Sequence, residues 1–144
     1  MKRFAAVNLS LLLAICLFSC TNADNGKSDF AYYFAVDKAE NDGFVLYAVM
    51  KKEAKGSENN KNLPFVEQYE GESVETAYDS FFDKHEDAYT GTVKEYAVGK
   101  GVGERGLEDF KVYLTNSSKL PAKRRTVQVD DAVFYINEKL QEEQ

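Results

Sequence analysis

The 144-residue chain has no tryptophan, one histidine, two cysteines and two prolines. A single histidine cannot build a multi-histidine metal centre, and two cysteines cannot build a disulfide framework or a four-thiolate zinc site. Two prolines and nine glycines are too few for a collagen-like or low-complexity chain. No G-x-S-x-G, S-x-x-K or H-E-x-x-H occurs, so the common local signatures of nucleophilic and zinc-dependent hydrolysis are missing, and there is no internal repeat. What is present, 44% hydrophobic and 29% charged residues, fits one globular domain.

The first twenty residues read MKRFAAVNLSLLLAICLFSC, with Lys2 and Arg3 ahead of an apolar stretch from Phe4 to Phe18 that only Asn8 and Ser10 interrupt. A spanning helix needs about 20 apolar residues, so this shorter run reads as a secretory signal. Its end, Leu17-Phe18-Ser19-Cys20, resembles the lipobox of bacterial lipoproteins, where a small residue precedes a cysteine that becomes acylated and starts the mature chain. The resemblance implies a signal peptide over 1–19, a lipid (palmitate-type) anchor on Cys20 and loss of Cys16 with the leader, leaving no free thiol. Thr21 is uncharged, which by resemblance to lipoprotein sorting in two-membrane bacteria favours the outer membrane. With Lys2 and Arg3 gone, 16 basic residues face 24 acidic ones, a net charge of −8. Such a field disfavours nucleic acid and anionic surfaces and favours cationic partners.

Thr21 to Ser28 is polar and aperiodic and reads as a tether; eight extended residues reach about 26–29 Å. From Asp29 onward a single domain is expected. DFAYYFAVDK and FVLYAVMKK flank Asp42-Gly43, a hairpin signal, with Phe30, Tyr32, Phe34 and Val36 expected on one face and Ala31, Tyr33 and Ala35 on the other. Glu53 to Asn62 reads as a polar loop, and Phe65 to Tyr69 as a short edge strand. Val74, Ala77, Tyr78, Phe81, Phe82, His85 and Tyr89 draw one apolar stripe down a helix, with Ser73 as N-cap and Thr90-Gly91 as the stop. Thr92 to Val98 alternates as a strand. A second helix carries Leu107, Phe110 and Leu114. Thr126 to Val129 is a further strand, and Asp130 is expected to cap a last helix with Val133, Ile136 and Leu140 inward; a hairpin competes for that tail. The pattern is that of an α+β domain: two layers, an N-terminal β-hairpin and small sheet covered by about three helices.

Site signals are sparse. Gly101, Gly103 and Gly106 form G-x-G-x-x-G between a strand and a helix, with Asp130 beyond; they read as a Gly-rich turn rather than a dinucleotide cradle, because Glu104 would face the anion. Glu75, Asp79, Asp83 and Asp87 recur every four residues, with Glu72 and Glu86 nearby, and are the partner-binding candidates, a docking ridge for a basic protein as against a solvated face. His85 is expected to be half-buried and hydrogen-bonded. Lys119, Lys123, Arg124 and Arg125 form the basic cluster. No catalytic, cofactor-binding or metal-binding residues are assigned. The expectation is a lipid-anchored envelope protein, non-enzymatic, that binds or assembles with another protein. In charge and size it is similar to proteins that neutralise basic toxins or lysozymes. A cell-wall hydrolase using paired carboxylates is the alternative, and a small-ligand carrier a third.

Overall fold

The computed structural model describes residues 29–52 and 63–144. The expected signal peptide, Cys20, the expected tether and the expected polar loop, within residues 1–28 and 53–62, lie outside them. The aromatic-rich run forms β1 (Asp29–Lys38), and a turn containing Asp42 at a φ of 65° leads into the antiparallel β2 (Phe44–Lys52). Next come β3 (Phe65–Gly71), α1 (Val74–Lys84), β4 (Glu95–Gly99), α2 (Gly103–Asn116), β5 (Arg125–Val129) and α3 (Ala132–Glu142). The strands form one mixed sheet in the order β3-β2-β1-β4-β5, with β4 parallel to both β1 and β5. The architecture is α+β, with the helices packed on the sheet, and β3 is an edge strand as expected.

The crossovers β3–α1–β4 and β4–α2–β5 advance in the same direction across the sheet, so a common hand places α1 and α2 on one face. There Phe34 stands at the centre of an aromatic group. Its ring centroid lies 5.0 Å from that of Phe81, 5.4 Å from Tyr78 and 6.3 Å from Tyr96. Phe110 and Leu114 of α2 complete this core. β5 ends at the sheet edge, and α3 folds back under the opposite face, where Ala132, Tyr135 and Ile136 meet Tyr33, Ala35, Val49 and Ala97. The small side chains of Ala35 and Ala97 let the helix approach. The expected two layers therefore gain a third, because β1 is apolar on both sides and each side needs a cover.

Four details differ from the sequence expectation. The β1–β2 register shifts between Ala31 and Tyr33, so Ala31 joins Phe34 and Val36 on one face while Tyr32 joins Tyr33 and Ala35 on the other. Ser73 caps the start of α1 as expected, in a capping box completed by Thr76, but the helix stops at Lys84 with His85 as its C-cap. Tyr89 leaves the stripe and exchanges backbone hydrogen bonds with Asp29 (2.8 Å) and Ala31 (3.0 Å) beside β1. The N-cap of α3 is Asp131, not Asp130: its carboxylate accepts from the Phe134 amide at 3.0 Å. Val133 is 47% exposed, while Ala132 and Tyr135 go inward with Ile136 against the sheet.

Capping predicts an asymmetry between the two neighbouring acids. Asp131→Ala should cost about 1 kcal/mol in urea unfolding. Asp130→Ala removes only an exposed pair with Lys100 and should stay within about 0.5 kcal/mol. Equal losses would place the cap elsewhere.

Candidate functional site

The inward stripe of α1 (Val74, Ala77, Tyr78, Phe81, Phe82) is spent on the core, which leaves Glu75, Asp79 and Asp83 on its outward side, all exposed. Asp87 is exposed too, but it lies in the turn beyond the helix end, so the four do not form one helical row. No described lysine or arginine pairs with any of the four; Lys84, the neighbouring cation, instead reaches Glu67 at 3.1 Å. Like charges four residues apart on a helix repel by about 0.2–0.5 kcal/mol per pair. On α2, packed beside α1 through Tyr78 and Tyr113 at 5.2 Å between ring centroids, Glu104, Glu108 and Asp109 are exposed as well, and of these only Glu108 has a described cation, Lys111 at 2.9 Å. The outer side of the helix pair is therefore acidic.

Where α1 stops, a second constellation forms that sequence spacing could not reveal. The His85 ring bonds Asp29 through Nδ1 (2.9 Å) and both Glu67 (2.7 Å) and Tyr69 Oη (2.8 Å) at Nε2, with its side chain only 8% exposed. The ring also lies against Phe81, 5.1 Å between centroids. Tyr69 in turn donates to Glu67. Burial alone would raise the Glu67 carboxyl, but hydrogen bonds from Tyr69, His85 and Lys84 outweigh it and hold it down to about 2. Burial, reinforced by Glu67, pushes the Tyr69 hydroxyl upward. Since both ring nitrogens are already engaged, neither is poised to take a proton from a substrate. The arrangement acts as a clasp that ties the first residue of β1, the edge strand β3 and the end of α1 together. Among the described residues no group of three or more His, Cys, Asp or Glu could hold a metal ion.

The glycine motif has local causes. Gly103 sits at a φ of 76°, where the 3-10 turn Lys100–Val102 passes into α2, and a Cβ on Gly106 would overlap Val102. Gly103 and Gly106 thus belong to α2 itself rather than to a turn before it. The Asp37 carboxylate lies against Gly99 and Gly101 and accepts from the Ala132 amide at 3.3 Å, so an acid stands beside the place a pyrophosphate would need. In the basic cluster, Arg124 donates to the carbonyls of Val93 (2.7 Å) and Gly91 (3.2 Å), Arg125 pairs with Glu95 at 2.7 Å, and Lys119 lies over the Phe82 ring at 4.8 Å. These cations hold the domain together and do not answer the acidic face.

Comparison with family models, curated proteins and solved structures found no match for the chain. Among the described residues no helix is long and apolar enough to cross a membrane.

The clasp carries a definite pH signature. The folded value of Glu67 lies below its ordinary 4.5, so the unfolded chain takes up the proton first. The stabilisation is complete above pH about 4.5 and is lost as pH falls towards about 2. Between pH 6 and 3 the wild-type chain should lose on the order of 2 kcal/mol more than Glu67→Gln in denaturant unfolding. Parallel stability curves for the two proteins would remove Glu67 from that role.

Proposed function

We propose that this chain is a lipid-anchored protein of a bacterial envelope whose folded domain docks a basic protein through the outward side of α1, with Asp79 and Asp83 at its centre. The observation that carries the reading is the lack of any described cation against the helix acids Glu75, Asp79 and Asp83, or against Asp87 beyond the helix end. Unanswered carboxylates on one rigid helix face repel each other, and a cationic surface relieves that repulsion while steering association from a distance. The lipobox-like Leu17 to Cys20 supports anchoring. Acyl chains on one cysteine would hold the protein at a membrane, since two or more chains are needed for stable attachment. The Asp29 and Glu67 carboxylates converge on His85 and are both occupied by it, so this pair lends a hydrolase no support.

Two measurements test this reading. Mass spectrometry of the mature N-terminus should find a chain that begins at acylated Cys20; an unmodified thiol there would contradict the anchor. For the docking face, the double variant Asp79→Lys/Asp83→Lys should lose basic envelope proteins that co-purify with the wild type. An unchanged set of bound proteins would take the acidic face out of the account.

A further inference from the structure

The acidic face is not uniformly polar. Between the first turn of α1 and the last two turns of α2 runs a groove of about 370 Å³. Phe44, Val74 and Tyr113 line it together with Val112, which is 59% exposed. Glu75 stands on the α1 wall and Asp109 on the α2 wall, and no lysine or arginine is among the lining residues. Val112 falls out of phase with Gly106, Phe110 and Leu114, the stripe that α2 buries, so its methyl groups face the groove instead of the core. The start of α1 does not invite an anion either: Ser73 Oγ already accepts from the Thr76 amide at 3.1 Å, and the Thr76 hydroxyl accepts from the Ser73 amide at 2.9 Å. Burial, then Asp79 and more weakly Glu75, push the Tyr113 hydroxyl up to about 12 against a smaller opposing bond from Ser117, which agrees with a negative field at the groove mouth.

Resting on the docking role proposed above, we propose that this groove receives one bulky aliphatic side chain from a lysine- or arginine-rich segment of the partner, with the flanking cations set against Glu75 on one wall and Asp109 on the other. A purely cationic partner would leave Val112 and Phe44 against water, and a purely apolar one would desolvate carboxylates without compensation. A segment that combines both satisfies each wall. The volume lies at the low end of the roughly 300–1,000 Å³ typical of sites that enclose a ligand, and an open wall residue such as Val112 suits a side chain laid in from a protein surface. A second copy of the chain is a poor occupant, because it carries a formal charge of −6 and repels this acidic groove.

The test uses the full chain in detergent micelles, with empty micelles as the blank, and three dye-labelled pentapeptides short enough to stay in water: lysine-lysine-leucine-lysine-lysine, the same peptide with serine at the centre, and glutamate-glutamate-leucine-glutamate-glutamate. Fluorescence anisotropy at low salt should show the lysine–leucine peptide binding about tenfold tighter than the lysine–serine peptide. The glutamate peptide should not bind. Val112→Ser, an exposed substitution, should shrink the leucine preference at least about threefold with an unchanged circular-dichroism spectrum. If both lysine peptides bind equally and Glu75→Lys weakens both, the groove is overturned while the acidic docking face stands. If neither lysine peptide binds better than the glutamate peptide, both fail. If sedimentation shows a dimer that Val112→Ser dissociates, the occupant is a second copy and the proposal is wrong.

Discussion

The domain is arranged around a strand that has no polar side. In β1, Ala31, Phe34 and Val36 are fully buried on one face, and on the other Ala35 is fully buried and Tyr33 nearly so. A strand of this kind cannot sit in a sheet with one solvated face, so the sheet must be covered above and below. The cover on one side is α1 with α2, brought there by two crossovers of common direction; on the other it is α3, the last element of the chain. The rims are then closed by polar groups. At one, His85 gathers Asp29, Glu67 and Tyr69. At another, the Glu143 carboxylate at the end of α3 takes both Lys51 and Lys94, and Tyr135 donates to Glu95 at 2.6 Å.

Once the inner sides of α1 and α2 are committed to Phe34 and its neighbours, their outer sides are free of any packing demand, and this is where the acids collect. Several cations are occupied elsewhere: Lys84 by Glu67, Arg125 by Glu95, Arg124 by backbone carbonyls. The acidity of the helix pair follows from where the cations go as much as from where the acids are. Val112 adds an apolar element to that face, which on the proposed docking role separates general attraction of positive charge from recognition of one kind of segment.

Local order was legible wherever a single element carried its own signal. The hairpin at Asp42-Gly43, the Ser73 N-cap and the strand through Thr126 to Val129 are all nearest-neighbour chemistry, and the fold keeps them. The misreadings share one cause, which is tertiary contact overriding a local period. Tyr89 fits the α1 stripe by spacing, yet Asp29 and Ala31 offer its backbone a strand-like partner and His85 is drawn out of the helix by two carboxylates. The bulge in β1 inverts one step of the alternation, which no count along the strand could foresee. Asp131 rather than Asp130 caps α3, and packing of Ala132, Tyr135 and Ile136 against the sheet leaves Val133 outward. Of the candidate site, the acids on α1 were visible as a repeat, although the helix end excludes Asp87. The His85 clasp joins residues 29, 67, 69 and 85, so nothing short of the fold connects them. Val112 did leave a trace, as an apolar residue off the buried phase of α2.

The most direct measurement on the central claim, that covering β1 from both sides turns α1 and α2 into an acidic recognition face, is amide chemical-shift mapping of the labelled chain during titration with a lysine–leucine peptide. The account predicts that the shifts gather on Glu75, Asp79, Asp109 and Val112 and their helical neighbours and fade as salt is added. Shifts centred on α3 or the β5 edge, or a pattern insensitive to salt, would contradict it.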